Sequence, residues 1–252
     1  MISGIVISHG YEAQDGKYPY QVSIRNAGSP ICSGSIVNNY FILTAAQCIY
    51  KKFTSEITVI AGTNNILNTN VTYSAATLFW HENYNDLVGL NDIGLIRVDR
   101  YIEYNERVQP VKFYDTYFIP PGQNAVVTSW GRLSLNPSIS LQEIQVSVIM
   151  QETCEELYLP VTKNNICTLT KINEGSCSAN AGDPLTVNDE QIGIVSYSKP
   201  CTINYPDIYI RIYPYLDWID NYTNSGIQVY PNIRSTMMFA TSTIVLCLHS
   251  LM

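Results

Sequence analysis

The sequence predicts an all-β fold, a sandwich or barrel made of many short antiparallel strands. Apolar residues alternate with other residues along much of the chain, and clusters of turn-forming residues separate the alternating stretches. The regular succession of strand and helix patterns that precedes a parallel sheet is not found. These observations place the chain among the all-β proteins.

The alternation identifies individual strands in chain order. It is clearest at 21–25, 57–61, 192–195 and 208–212, and turn signals lie at 26–30, 64–65, 120–122 and 188–189. Near the end, Ile212, Leu216 and Ile219 recur at helical spacing, and Trp218 and Tyr222 widen the apolar stripe. We therefore expect one short C-terminal helix, which the Asn-Ser-Gly sequence at 224–226 would end.

Composition excludes several classes of function. The chain has 252 residues, enough for one large or two small domains, and 46% of them are hydrophobic. Only 14% are charged, and the net charge is −7. No run of Lys and Arg occurs, so the sequence argues against nucleic-acid binding and against an anionic membrane surface.

The cysteines indicate an oxidising compartment. There are seven, none in a CxxC pair, and His9, His81 and His249 are isolated, which argues against a zinc site. We expect three disulfides with one cysteine to spare, a secreted protein, and no metal or cofactor. Sequons at Asn70 and Asn221 are candidate glycosylation sites, although either tripeptide could go unused.

The two ends of the chain differ from the rest. The first nine residues lack the charged and apolar regions of a signal peptide. Residues 236–252 are apolar, uncharged and include the odd cysteine, Cys247, but they are shorter than the roughly 20 residues that span a bilayer. The small residues at 224–226 followed by this tail match a lipid-anchor signal. The alternative is an extension outside the fold, and we expect membrane association only if the tail is an anchor signal.

Four segments resemble the motifs of chymotrypsin/trypsin-like serine proteases in order and spacing. Residues 18–24 (YPYQVSI) are similar to the first strand of that family, and 43–48 (LTAAQC) to its L-T-A-A-H-C motif. Residues 91–96 (NDIGLI) are similar to N-D-I-A-L-L, and 177–184 (CSANAGDP) stand where C-x-G-D-S-G-G-P belongs. The resemblance covers residues 7–226.

The resemblance implies a fold of two packed six-stranded antiparallel β-barrels, with a cleft between them and a short C-terminal helix. The barrels would meet near 115–120, and the tail at 227–252 would lie outside the fold of a monomeric protein. It also implies three disulfides: Cys32–Cys48, Cys154–Cys167 and Cys177–Cys201.

The catalytic positions that the resemblance assigns are Gln47, Asp92 and Ala181. Acyl transfer in this family needs an imidazole base, an orienting carboxylate and a serine nucleophile. An amide does not titrate near neutral pH, and a methyl group cannot attack a carbonyl, so Gln47 and Ala181 are not expected to do this chemistry. Only Asp92 is retained.

The neighbouring positions also depart from the family pattern. Ala179 replaces the glycine of the oxyanion turn, and Asn180 replaces the aspartate that pairs with the new amino terminus after activation. Ile7 stands at the activation position, and Val6 before it offers no trypsin-type cut. Asp183 replaces a glycine after the serine position.

The specificity pocket is expected to be a narrowed relic. Gly175 stands where trypsin-like enzymes carry aspartate, and Ser198 replaces a glycine at the mouth. Ser196 and Tyr197 match the strand that pairs with substrate. Asp207 lies on the opposite wall, so either the acid of the pocket has moved there, or Asp207 is a solvated or hydrogen-bonded residue without a ligand.

Within the family, the sequence resembles the inactivated protease paralogues of mites, which are associated with binding host complement proteins. We therefore expect a secreted, non-catalytic protein that binds a protein partner, possible candidates being host complement proteins. Two alternatives remain open: a hydrolase of residual or unusual activity, and a decoy that absorbs protease inhibitors through its cleft.

Overall fold

The computed structural model describes residues 10–69, 71–131, 138–157, 160–169, 179–197 and 206–224. Several predicted sites fall outside these ranges: Ile7, Asn70, Gly175, Cys177, Ser198, Cys201 and the tail at 227–252. The described residues contain fourteen strands and three α-helices. The strands are β1 (Tyr11–Glu12), β2 (Gln21–Asn26), β3 (Ser29–Ile36), β4 (Phe41–Thr44), β5 (Ile57–Ala61), β6 (Thr72–Trp80), β7 (Gly94–Val98), β8 (Lys112–Phe113), β9 (Asn124–Ser129), β10 (Gln142–Val148), β11 (Asn165–Leu169), β12 (Pro184–Val187), β13 (Glu190–Tyr197) and β14 (Asp207–Arg211).

The strands form two closed antiparallel barrels, which confirms the predicted fold class. The first barrel has the order β2-β3-β4-β7-β6-β5, and the second closes as β9-β10-β11-β14-β13-β12. The short strand β1 pairs with β10, and β8 pairs in parallel with β13, outside the second ring. Closure leaves neither six-stranded ring with an unpaired edge.

The core of each barrel follows from the alternation in sequence. Val22 and Ile24 of β2 are completely buried in the first core, and Ile144 and Val146 of β10 lie in the second. Alternate residues of a strand point to opposite faces, so a period-2 apolar pattern fills a barrel interior. The two interiors form separate clusters, and the cleft lies where the barrels meet.

The helices are short and lie outside the barrels. They are α1 (Ala46–Ile49), α2 (Gln151–Leu157) and α3 (Leu216–Thr223), and a single 3₁₀ turn (Tyr213–Tyr215) precedes α3. The helix that the sequence predicts near the end is therefore present, but Ile212 lies between strand β14 and the 3₁₀ turn. Helix α3 is docked on the first barrel, where Glu82 accepts hydrogen bonds from Trp218 Nε1 and Tyr222 OH.

Two disulfides lie in the described residues. Cys32–Cys48 joins β3 to α1, and Cys154–Cys167 joins α2 to β11. In the part of the chain that the structure describes, no helix is long and apolar enough to cross a membrane.

Buried polar side chains join the two barrels. Gln21 of β2 donates from Nε2 to the carbonyl of Thr128 in β9 at 3.4 Å, and its Oε1 accepts from Thr128 Oγ1 at 2.6 Å. Ser35 of β3 donates to Oε1 of Gln191 in β13 at 2.7 Å. Because buried polar groups are costly unless paired, these matched bonds fix how the barrels meet and hence the shape of the cleft.

Candidate functional site

Gln47 lies at the mouth of the cleft on helix α1. Strand β4 ends at Thr44, and the chain turns at once into the four-residue helix. The neighbours Ala46 and Cys48 are buried, whereas the Gln47 side chain is exposed. The Cys32–Cys48 disulfide ties this helix to β3, so the backbone of Gln47 is held in place.

Asp92 reaches the same point from the loop before β7. Asn91 takes a left-handed conformation with φ of 54°, which asparagine tolerates better than most residues. Its side chain bonds the Asn83 carbonyl and accepts from Tyr215 OH, so the turn is fixed on both sides. The following residue, Asp92, is completely buried.

Ser196 comes from the second barrel and lies at a β-bulge. The register between β13 and β14 shifts between Val195 and Tyr197, which leaves Ser196 as the extra residue. A bulge redirects a side chain that regular pairing would turn elsewhere. Here the Ser196 hydroxyl donates to Asp92 Oδ2 at 2.7 Å.

Gln47, Asp92 and Ser196 form a closed hydrogen-bonded triangle across the cleft. Gln47 donates from its backbone N–H to Asp92 Oδ1 at 2.8 Å and from Nε2 to Asp92 Oδ2 at 2.6 Å. The same Nε2 donates to the Ser196 carbonyl at 2.7 Å. Both amide hydrogens of Gln47 therefore have acceptors, one in the first barrel and one in the second.

Burial raises the pKa of the Asp92 carboxyl above its usual value. Hydrogen bonds donated by Ser196 and Gln47 oppose this shift because they favour the charged form. The side chain thus combines complete burial with several directed donors, the arrangement in which a buried carboxylate is tolerated.

Ala181 lies in the turn that enters β12. Its carbonyl accepts from the backbone N–H of Ser33 at 3.0 Å, which ties the turn to the first barrel. The next residue, Gly182, has φ of 86°, and a Cβ there would collide with the Ser33 carbonyl and Thr44 Oγ1. Glycine is therefore required at position 182, both by the backbone conformation and by the lack of space for a Cβ atom.

Asp183 follows this turn and is completely buried. Its Oδ2 accepts from the backbone N–H of Asn180 at 2.6 Å, and its Oδ1 accepts from Gln21 Nε2 at 3.2 Å. Burial raises the pKa of the Asp183 carboxyl to about 7, against hydrogen bonds from Ser129, Asn180 and Gln21. None of the ion pairs found among the described residues includes Asp183.

An open cleft of about 500 Å³ lies beside the triangle. Its described lining is partly apolar and includes Leu87, Val88, Val161 and Tyr197 next to Gln47 and Asp92. No histidine is among the described residues that line it. The cleft therefore holds space for a ligand, but its described wall supplies no imidazole.

The predicted pocket residues have different surroundings. Tyr197 is 55% exposed and contributes to the cleft wall, whereas Asp207 is only 4% exposed. The alternative in which Asp207 is solvated is therefore wrong, because this residue is buried at the start of β14, opposite Thr168 of β11. Ala179 and Asn180 are partly buried, and Ala179 packs on the second core.

The chemistry available at the site follows from its donors and acceptors. A carboxylate, a primary amide and a hydroxyl are brought together, and the side chain at position 181 is a methyl group. In the described residues, no cluster of three or more His, Cys, Asp or Glu side chains is suited to a metal ion. The arrangement can hold hydrogen-bonding groups in fixed positions.

Comparison with known proteins identifies the fold's relatives. The trypsin family model matches residues 7–219. Chymotrypsin-2 of Vespa crabro is 44% identical over 212 residues, which cover 83% of this chain and 96% of the relative. The chain belongs to the trypsin family of serine proteases.

Solved structures of the trypsin family agree with this assignment. Mouse neuropsin, a serine protease, superimposes with a TM-score of 0.78 at 25% identity, covering 85% of this chain and 98% of its own. Human heparin binding protein has a TM-score of 0.76 at 25% identity, covering 87% of this chain and 97% of its own. Relatives named as proteases thus share both sequence and fold with this trypsin-family chain.

Two site residues of this trypsin-family member make contacts that the sequence does not predict. Ser196 is predicted only as a pocket residue, yet its hydroxyl completes the triangle with Asp92. Asp183 is noted only as a replacement for glycine, yet it connects the turn to Gln21. The sequence signal for Asp183 is its place directly before the apolar strand β12, which predicts burial.

Proposed function

We propose that this trypsin-family member is proteolytically inactive and acts by binding a protein partner. The observation that carries the proposal is the hydrogen bonding of Gln47. Its amide stands beside Asp92 where the family's imidazole belongs, and both of its hydrogens are committed to Asp92 and the Ser196 carbonyl. An amide in this position cannot accept a proton from a nucleophile near neutral pH.

Ala181 supports the same conclusion from the other side of the cleft. The family's nucleophile is a serine hydroxyl, and a methyl group has no lone pair to form a covalent intermediate. The turn around Ala181 is nevertheless well tied, through Ser33 on one barrel and Val195 on the other. A firmly held turn without its reactive group suits a binding surface better than an enzyme.

A second candidate function is residual hydrolysis through Ser196. Its hydroxyl donates to Asp92 Oδ2 at 2.7 Å, a contact that could activate it. Two further hydrogen bonds from Gln47 already reach the same carboxyl group. These donors reduce the basicity of the carboxylate, so we rank this candidate below binding.

A third candidate is a decoy for protease inhibitors. The open cleft of about 500 Å³ favours it, because an inhibitor needs an accessible cleft. Against it, the sequence differs from the family pattern at Gly175, Ser198 and Asp207, the positions that the resemblance assigns to the pocket that such inhibitors fill. We therefore expect the partner to bind mainly outside the cleft.

The proposed partner is a secreted host protein. Human heparin binding protein, whose name denotes binding, has the same fold. A net charge of −7 disfavours heparin itself as a ligand of this chain. The disulfides suit an extracellular protein, and the resemblance to mite paralogues suggests complement proteins.

The proposal is tested by adding the purified protein to serum and measuring complement activation and co-purifying proteins. We expect lower activation and capture of a complement component, both unchanged in Asp207→Gly. Binding instead to a protein inhibitor of trypsin, lost in a variant with a blocked cleft, would favour the decoy. Turnover of a peptide ester that Ser196→Ala abolishes would favour the hydrolase.

A further inference from the structure

The turn at 179–183 is held from within by its own last side chain. The backbone N–H of Asp183 donates to the Asn180 carbonyl at 3.1 Å, and the Asp183 carboxyl accepts from the Asn180 N–H at 2.6 Å. These reciprocal bonds close the turn in both directions. A residue without a side-chain acceptor at 183, such as glycine or alanine, could make only the first of them.

The same carboxyl group lies where the two barrels meet. Gln21 Nε2 of β2 reaches its Oδ1, and the Ser129 hydroxyl of β9 reaches it from the second barrel. Ser33 of β3 also faces the group, although its hydroxyl makes no hydrogen bond of standard geometry. The Asp183 carbonyl accepts from Val195 N–H in β13 at 2.9 Å. Every neighbour that faces Asp183 from these elements is uncharged.

Tyr209 of β14 is the titratable group coupled electrostatically to Asp183. Burial holds the pKa of the Tyr209 phenol well above its usual value, and its OH bonds Thr168 Oγ1. It therefore stays neutral at physiological pH and supplies no balancing charge. A buried carboxylate surrounded only by neutral donors is unstable relative to one in water.

We propose that Asp183 is the positioning residue of the 179–183 turn and that gain or loss of its proton makes the turn respond to pH. With the proton bound, the neutral carboxyl group is tolerated inside and the turn stays closed. When the proton leaves, opening the turn hydrates the carboxylate. The device rests on the contacts and the burial of the Asp183 carboxyl group, so it stands whether or not the binding function proposed above is correct.

The direction of the pH effect follows from the linkage between opening of the turn and loss of the Asp183 proton. The closed form holds the proton up to about pH 7, whereas an opened, hydrated carboxyl group loses it near its ordinary value of about 4. The equilibrium constant for opening should therefore rise as pH rises through this window and level off above pH 7. The steepest slope possible for one proton is about tenfold per pH unit.

The experiment is amide hydrogen exchange of the intact protein between pH 5 and pH 8.5, corrected for the intrinsic dependence of exchange on pH. We expect protection of the Asn180 and Gly182 amides to fall by about ten- to a hundredfold between pH 5 and 7, then to level off. Asp183→Asn should remove this dependence. Asp189→Asn is the matched control, because Asp189 is exposed in the following hairpin, and should keep the wild-type profile.

Carbon-13 titration of the Asp183 side-chain carboxyl in the wild-type protein tests the proposal without a variant. A midpoint near 7 that accompanies the loss of protection supports it, even if Asp183→Asn fails to fold. A midpoint near 4 overturns it. A turn whose protection does not change between pH 5 and 8.5, or changes identically in Asp183→Asn, also overturns it.

Discussion

Asp92 and Asp183 are two buried carboxyl groups beside one cleft, and their surroundings differ. Asp92 accepts three hydrogen bonds of 2.6 to 2.8 Å from Gln47 and Ser196. Asp183 accepts one short bond from Asn180 and a longer one of 3.2 Å from Gln21, and the Ser129 hydroxyl also reaches it. Burial raises the pKa of both. The resemblance to the family predicts a carboxylate at the position of Asp92 and a glycine at that of Asp183.

The difference lies in how well each carboxyl group is supplied with donors. Gln47 and Ser196 supply Asp92 with three short hydrogen bonds that favour its charged form. Asp183 has only one hydrogen bond as short as those of Asp92, from the Asn180 N–H, and its bond from Gln21 is longer. The comparison therefore predicts that removing the charge at position 183 stabilises the folded protein, whereas removing the acceptor at position 92 destabilises it.

The largest expected effect is the pH dependence of stability due to Asp183. Its folded pKa of about 7 lies above its unfolded value, so the folded state binds the proton more tightly. The stability that this confers is complete below about pH 4 and is lost as pH rises to 7, on the order of 4 kcal/mol. As pH rises from 4 to 8, the unfolding free energy of Asp183→Asn should increase relative to that of the wild type by up to this amount. Urea denaturation of both proteins at several pH values measures this difference. If the unfolding free energies of the two proteins changed with pH in parallel, the prediction would be contradicted.

The next effect is the loss of the Asp92 acceptor. Asp92→Ala leaves the Gln47 N–H, the Gln47 amide and the Ser196 hydroxyl without their buried partner, so we expect a loss of about 3 kcal/mol at pH 7. Asp86→Ala is the control, because Asp86 makes an exposed ion pair with Lys51, and losing such a pair should change the unfolding free energy little. Equal losses in the two variants would show that the triangle does not stabilise the fold.

The smallest effect concerns Gln47 alone. Gln47→Ala removes the bonds from Nε2 to Asp92 and to the Ser196 carbonyl but keeps the backbone N–H bond. Because the side chain is exposed, water can replace it, and we expect a loss of about 1 kcal/mol. Gln109→Ala removes a local, exposed amide bond and should change the unfolding free energy by less. A loss as large as that of Asp92→Ala would mean that Gln47, not Asp92, organises the triangle.

Much of the fold could be predicted because it depends on local patterns. Alternating apolar residues such as Val22 and Ile24 specify the faces of a strand, and the motif around Asp92 specifies the family. The predicted proximity of Gln47 and Asp92 also follows from the family motifs. Cys32 and Cys48 are both buried, which agrees with the disulfide that the family resemblance implies.

The remaining features depend on tertiary contacts that no local pattern contains. The orientation of Ser196 comes from a bulge between β13 and β14, which arises only when the strands pair. The role of Asp183 depends on Gln21, which lies far away in sequence on the other barrel. The burial of Asp207, which the sequence left open, depends likewise on how β14 packs.

The most direct test of the central claim, that the cleft has no working nucleophile, is covalent labelling. The purified protein is treated with a fluorophosphonate, which reacts with the activated serine of a hydrolase, and its intact mass is measured. An active trypsin treated in parallel should be labelled stoichiometrically, and this protein should gain no mass. Stoichiometric labelling at Ser196 or another cleft residue, abolished by Asp92→Asn, would contradict the claim.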